Sequence, residues 1–412
     1  MKEIQIIPSK SDAHRALICA ALSDRDCRVI CEETSKDIEA TKRCLAAIRE
    51  ALMQRRARDG ETPAAAHLYC GESGSTFRFL IPVVAALGIT GVFHPEGRLP
   101  QRPLTPLYEE LTAHGVRMSP QGNVPFLVEG QLTPGEFHIP GNVSSQFISG
   151  LAFALPLLEG DSRIVVEGNL ESAGYVDMTR NVIRRFGVSI HSAGNDLIVK
   201  GGQKYRGPAR YRVEGDWSNA AFWLVMGLLG EEPVRVTGLN ADSAQGDRAV
   251  VRILKKFGGR ITEDLETEGS VTAWPSRDTL HGITVDAGPI PDMVPALALV
   301  GAVSEGTTEI MNAARLRIKE SDRLATTCEL LSGLGADVTE LPDGLRIRGR
   351  RGLTGGSCDG CNDHRIVMTA AAASLAASGK VGISGWQAVR KSYPTFFRVM
   401  KENDLDGNIL LL

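Results

Sequence analysis

Hydrophobic and polar positions along the chain repeat on a long period. Six times a Gly or Ser is followed within a few positions by Ser, Asp, Asn or Gly, and then by an Ala/Leu-rich run of about three helical turns. The six starts are Ser9-Lys10-Ser11, Gly71-Glu72-Ser73-Gly74, Gly141-Asn142-Val143-Ser144-Ser145, Gly215-Asp216-Trp217-Ser218, Gly288-Pro289-Ile290-Pro291-Asp292 and Gly360-Cys361-Asn362-Asp363. Counted from Ser9 and then from each Gly, the intervals are 62, 70, 74, 73 and 72 residues. A second amphipathic helix follows in each repeat, clearest over 175–186, 247–257 and 321–334, with Gly close behind as a helix terminator. Short Val/Ile-rich stretches at 163–166, 196–199, 234–236 and 344–347 alternate as strands do.

Each repeat is therefore a small α+β element, and six of them predict two similar lobes of three. The division is expected halfway along the chain, giving one lobe of residues 11–214 and a second of 1–10 with 215–412, with the N-terminal strand returning to the second lobe and the active site in the cleft between them. The polar stretch 54–63, with Arg55, Arg56 and Arg58, is expected to be a solvated loop that trims the short first repeat.

Composition narrows the function. Net charge is −3, from 46 Lys+Arg against 49 Asp+Glu, so no global positive field exists to hold nucleic acid or an anionic membrane. The longest apolar stretch, 79–93, is broken by Pro82, Gly88 and Gly91 and reads as a buried helix running into a strand. The first residues alternate like a strand and lack the regions of a signal peptide, which predicts a cytoplasmic protein whose eight cysteines are thiols.

Small polar residues before a helix are ordinary N-caps, but six free helix N-termini turned to one cleft would form a site for anions. Cations cluster by these turns: Lys10, Arg15, Arg98, Arg102, Lys319, Arg323, Arg365 and Lys391. Such a set suits a ligand with several negative groups. Asp292, Glu320, Asp363 and His364 are the acid–base candidates, and a carboxylate among cations has a depressed pKa, which favours the role of base. Cys358 and Cys361, with His364 nearby, lack a second pair and are not read as a metal site. An intact P-loop and a Gly-x-Ser-x-Gly elbow are both missing.

Taken together, Lys10-Ser11-x-x-x-Arg15-Ala16-Leu17, the loop Gly71-Glu72-Ser73-Gly74-Ser75-Thr76-x-Arg78, Arg98-Leu99-Pro100-Gln101-Arg102-Pro103, Ser144-Ser145-Gln146, Ser172-x-x-Tyr175, Pro291-Asp292, Lys319-Glu320-Ser321-Asp322-Arg323, Asn362-Asp363-His364-Arg365 and Lys391-x-x-Pro394 resemble the 5-enolpyruvylshikimate-3-phosphate synthase family over nearly the full chain. The resemblance implies the enolpyruvyl transferase fold, two lobes each of three βαβαββ units with buried parallel helices. It implies two small-molecule substrates, shikimate 3-phosphate and phosphoenolpyruvate, with no cofactor, no metal, no nucleic acid or membrane partner, and a monomer. Shikimate 3-phosphate would be held by Lys10, Ser11, Arg15, Ser144, Ser145, Gln146, Ser172, Tyr175, Asp292 and Lys319. Phosphoenolpyruvate would be held by Lys10, Gly74, Arg102, Gln146, Arg323, Arg365 and Lys391. Asp292, Glu320 and Lys10 would be the catalytic groups of an addition–elimination, a step of the shikimate pathway of aromatic amino acid biosynthesis.

His14, Glu72 and Arg315 depart from residues frequent in that family. The sister enzymes that act on a UDP-sugar carry a cysteine in the loop matching Glu96-Gly97-Arg98-Leu99-Pro100-Gln101-Arg102, and this chain has none there. A non-catalytic anion-binding relative is the rival of a different class, and the intact Lys10, Asp292, Glu320 and Lys391 speak against it.

Overall fold

The computed structural model describes residues 1–57 and 65–412. By compactness the chain divides into Lys10–Val213 and a second unit of Met1–Ser9 with Glu214–Leu412.

Within Lys10–Val213 two sheets share one plan. Strand Ala65–Gly71 leads through helix Gly74–Leu87 to the parallel strand Thr90–Pro95, then through helix Leu107–Ala113 to the hairpin Val116–Met118 and Phe126–Gly130, whose second strand pairs antiparallel with Thr90–Pro95. Strand Glu136–Pro140, helix Ser145–Ala154, strand Ser162–Glu167, helix Ala173–Arg185 and strands Ile190–Ala193 and Asp196–Val199 repeat that order. Helix Lys10–Leu22 and strand Arg28–Ile30 belong to a smaller repeat, whose partner strand is Arg210–Arg212 from the far end of the unit.

The second unit repeats the plan twice more. Lys2–Gln5 pairs parallel with Val234–Thr237, which pairs antiparallel with Ser270–Trp274 and through it with Arg260–Asp264. Thr284–Asp286, Thr307–Met311, Gly344–Arg348 and Asp337–Leu341 form the next sheet. The last sheet has three parallel strands, Gly356–Asp359, Val381–Ser384 and Ile409–Leu411.

The fold is the expected α+β, yet only four of the six sheets among the described residues carry the full βαβαββ plan. In the first repeat the second helix runs on over Lys36–Ala57, so residues 54–57, expected as loop, are helical; the rest of that polar stretch lies outside the described residues. In the last repeat the chain leaves helix Phe396–Glu402 for a single strand instead of a hairpin.

Burial explains why the repeat starts matter. All 13 residues of Trp217–Leu229, all ten of Val294–Val303 and all ten of His364–Ala373 are buried. A helix apolar on every face can only lie inside a core, and each large side chain buried there stabilises the fold by about 1.5–3 kcal/mol. Only the ends of such helices can offer polar groups. Four helices that open repeats are capped by side chains: Gly74–Leu87 by Ser73 on Thr76 N (3.3 Å), Ser145–Ala154 by Ser144 on Gln146 N (3.3 Å), Trp217–Leu229 by Asp216 on Asn219 N (2.8 Å) and His364–Ala373 by Asp363 on Arg365 N (2.9 Å). The apolar run 79–93 resolves into the end of Gly74–Leu87, a left-handed Gly88 (φ 62°) that stops the helix, and the strand Thr90–Pro95.

Candidate active site

In the unit containing Glu214–Leu412, a buried arginine gathers three carboxylates. The side chain of Arg323 is 1% exposed; its Nε donates to Asp363 Oδ2 at 2.8 Å, Nη1 to Asp292 Oδ1 at 2.7 Å and Nη2 to Glu320 Oε2 at 2.6 Å. Asp292 sits in the short turn Pro291–Met293 ahead of helix Val294–Val303. Its carboxylate instead has Lys319 Nζ at 3.7 Å and Arg365 Nη2 at 3.9 Å besides Arg323. Burial alone would raise its pKa, but Lys319, Arg323 and Arg365 overcome that and hold it below the usual carboxylate range. Lys319 is pushed down to about 8, by burial first and by Arg323 and Arg315, against the upward pull of Asp292.

Asp363 is fully buried, and besides Arg323 it accepts from Ser321 Oγ at 3.0 Å and from the Arg365 backbone N–H. His364 is likewise buried beside it. Lys391 is 6% exposed and donates to Asn362 O at 2.6 Å, which brings it to the turn that opens helix His364–Ala373.

In Lys10–Val213 the serines are delivered by two neighbouring parallel strands. Glu136–Pro140 ends at the turn carrying Ser144 and Ser145, and Ser162–Glu167 ends ahead of Ser172, which adopts a left-handed conformation (φ 54°). Gly141 clasps the two turns: its carbonyl accepts from Glu171 N at 3.0 Å, and a Cβ there would lie 2.5 Å from Asn169 O. Arg15, 2% exposed, donates to Thr179 Oγ1 (2.7 Å), Ser11 O (2.7 Å), Tyr175 O (3.0 Å) and Ser149 Oγ (3.5 Å), so four of its five N–H groups are engaged and two of them hold the backbone of Ser11 and Tyr175. Lys10 Nζ pairs with Asp37 Oδ2 at 2.9 Å.

Gly74 and Arg102 also meet, since a Cβ on Gly74 would lie 2.8 Å from Arg102 Nη1. Gln146 is oriented from both ends, accepting from Arg78 Nη1 at 2.8 Å and donating to Ser75 Oγ at 3.0 Å. The arrangement can therefore bind oxyanions at helix starts and can hold an ionised Asp292 and a second carboxylate, Glu320, beside a lysine whose pKa is lowered to about 8.

The EPSP synthase (3-phosphoshikimate 1-carboxyvinyltransferase) family matches residues 1–400. The chain belongs to the EPSP synthase family. It is 44% identical to the 3-phosphoshikimate 1-carboxyvinyltransferase of Clostridium acetobutylicum, over 99% of this chain and 95% of the relative, and 43% identical to that of Clostridium novyi, over 96% and 93%. Among solved structures it is similar to EPSP synthase from Acinetobacter baumannii, with a TM-score of 0.77 and 25% identity over 99% of this chain and 96% of that one. The enolpyruvyl transferase NikO from Streptomyces tendae shares the fold, with a TM-score of 0.73 and 18% identity over 98% and 95%.

Within this EPSP synthase relative, the unusual residues have defined places. The Glu72 carboxylate lies over Gly97, where a Cβ would come within 2.6 Å of it, and so braces the loop that carries Arg102. Arg315 Nη2 donates to Gly288 O and so grips the turn ahead of Asp292. Burial and Asp359 raise the Cys358 thiol to about 11, and burial raises Cys361, so neither is a thiolate at neutral pH. Sequence reasoning missed Asp37, Thr179 and Ser75 as partners of site residues. Each lies far along the chain from the group it holds, or carries no signal beyond an ordinary polar residue. Arg78 was visible within the glycine-loop motif but had no role to distinguish it.

Proposed function

We infer that the chain transfers the enolpyruvyl group of phosphoenolpyruvate to the 5-hydroxyl of shikimate 3-phosphate, releasing phosphate. The observation that carries this reading is the pair of carboxylates, Asp292 and Glu320, held on one buried guanidinium beside Lys319. Asp292 takes the proton of the 5-hydroxyl as its oxygen attacks C2 of phosphoenolpyruvate. Glu320 gives a proton to the methylene carbon, with Lys10 the competing donor. Phosphate then leaves C2 with the proton held on Asp292, and a proton of the new methyl group returns to the group that supplied it, which restores the enol ether and both side chains. Cations near the leaving phosphate stabilise the charge it carries away.

Ser144, Ser145 and Ser172 hold the 3-phosphate, Ser11 and Arg15 the carboxylate, and Tyr175 and Gln146 the ring, while Lys319 with Asp292 meets the hydroxyl groups. Lys10, Gly74, Arg102, Gln146, Arg323, Arg365 and Lys391 receive phosphoenolpyruvate. Arg323 has one N–H beyond its four bonds to carboxylates, so its larger part is to hold Asp292 and Glu320. The lobes are taken as 11–214 and 1–10 with 215–412, three repeats each.

No helix among the described residues is long and apolar enough to cross a membrane. Two charged small-molecule substrates suit a cytoplasmic monomer, which cell fractionation and sedimentation would check. The deciding assay is phosphate release from phosphoenolpyruvate with shikimate 3-phosphate, and again with UDP-N-acetylglucosamine. Release with the first acceptor alone is expected; release with the second would transfer the chain to the sister activity.

A further inference from the structure

Helices Lys10–Leu22 and Lys36–Ala57 meet through two polar rungs. Lys10 Nζ lies 2.9 Å from Asp37 Oδ2, and His14 Nδ1 lies 2.7 Å from Thr41 Oγ1. The rungs are four residues apart on both helices, one turn, so the two helices run side by side in the same direction. From Thr41 the bonds continue. Thr41 Oγ1 is 2.6 Å from Thr76 Oγ1, Thr76 donates to Ser73 Oγ at 2.7 Å, and Ser73 caps helix Gly74–Leu87. All four side chains are buried.

Counting protons fixes their directions, because each hydroxyl has one hydrogen to give. The hydrogen of Thr76 goes to Ser73, so Thr41 must donate to Thr76, and His14 Nδ1 must donate to Thr41. His14 is thereby the Nδ1–H tautomer with Nε2 unprotonated, and Nε2 has no hydrogen-bond partner among the described residues. Burial first, then Lys10 and Arg15, keep its pKa well below the usual imidazole range, so it stays neutral.

We infer that His14 is a positioning residue: the buried chain His14–Thr41–Thr76–Ser73 sets the separation between Lys10, one turn before His14, and Gly74, the residue after Ser73. This rests on the assignment of Lys10 and Gly74 to phosphoenolpyruvate, because two groups that grip one anion must keep a fixed distance. Misplacement by about 1 Å is enough to cost about a hundredfold in rate.

The test combines a spectrum with kinetics on the full chain. Nitrogen-15 NMR of the histidines should show one neutral ring protonated at Nδ1 and unchanged between pH 6 and 8. His14→Leu, which fills the space without a donor, should raise KM for phosphoenolpyruvate about tenfold while the melting temperature stays close to wild type. His14→Asn, whose Nδ2–H can replace Nδ1–H, should recover KM to within about threefold. Thr41→Val breaks the same chain and gives the same rise in KM should His14→Leu not fold. An Nε2–H tautomer, or wild-type KM in both His14→Leu and Thr41→Val, overturns the proposal. Wild-type KM for phosphoenolpyruvate in Lys10→Ala would instead remove the assignment beneath it, whatever the spectrum shows.

Discussion

Arg323 Nη1 and Asp292 Oδ1 lie 2.7 Å apart, and the arginine is held in that position by a second carboxylate, Asp363, that is fully buried. An isolated charge at such depth would be strongly unfavourable, and hydrogen bonds to three carboxylates offset the loss of water around the guanidinium. The result is an aspartate that remains ionised in a half-enclosed place.

Asp292→Asn should therefore bind shikimate 3-phosphate nearly normally and turn over at least about a hundredfold more slowly, the scale for removing a positioned base. The amide oxygen can still accept from Arg323, so the loss of stability should stay near about 1–2 kcal/mol. A turnover number, a dissociation constant and a melting curve on this variant suffice. Wild-type turnover would take Asp292 out of the mechanism.

Lys319 supplies a pH dependence. Its pKa is lowered from 10.5 to about 8 in the folded chain. Below pH 8 both folded and unfolded chains carry the proton, and the penalty of burying the charge is fully present. Between pH 8 and 10.5 only the unfolded chain keeps it, so this group makes folding more favourable as pH rises. Binding runs the other way, because the neutral amine no longer attracts an anionic substrate. The dissociation constant of shikimate 3-phosphate should rise above about pH 8 in the wild type, and Lys319→Arg, which stays charged, should flatten that limb. An identical pH profile in the two proteins would exclude Lys319 from substrate binding.

Gly74→Ala tests close approach. The added methyl would meet Arg102 Nη1 at 2.8 Å, and the flexible end of the arginine must move away. Alanine favours the helix that starts here, so stability should hold or rise slightly, by up to about 1 kcal/mol. KM for phosphoenolpyruvate should increase about tenfold with a smaller change in turnover. Unchanged KM would show that Arg102 does not need its present place.

Cys358→Ser with Cys361→Ser should leave activity within about twofold, since thiols held protonated by burial are neither nucleophiles nor ready metal ligands. Zinc analysis and a rate measurement on the double variant check this. A loss of more than about tenfold with intact folding would assign the pair a catalytic part.

Repetition was legible because it is one-dimensional. The apolar runs after each polar turn had to become buried helices, since no polar face existed to leave in water, and the turns had to carry whatever chemistry the protein performs. The motifs at those turns were enough to name the family. The return of the N-terminal strand, seen as Lys2–Gln5 pairing with Val234–Thr237, was legible too; tertiary structure decided what the chain order hides, that Arg210–Arg212 pairs with Arg28–Ile30 far before it, and that among the described residues the first and last repeats lack the hairpin of the other four. It also decided which polar residues hold others. Asp37 on Lys10, Arg78 and Ser75 on Gln146, and Asp363 on Arg323 are 27, 68, 71 and 40 residues from the groups they orient. A local pattern records burial and helical period, which depend on near neighbours. The pairing of charges across such separations depends on how the helices pack, and that exists only in the folded chain.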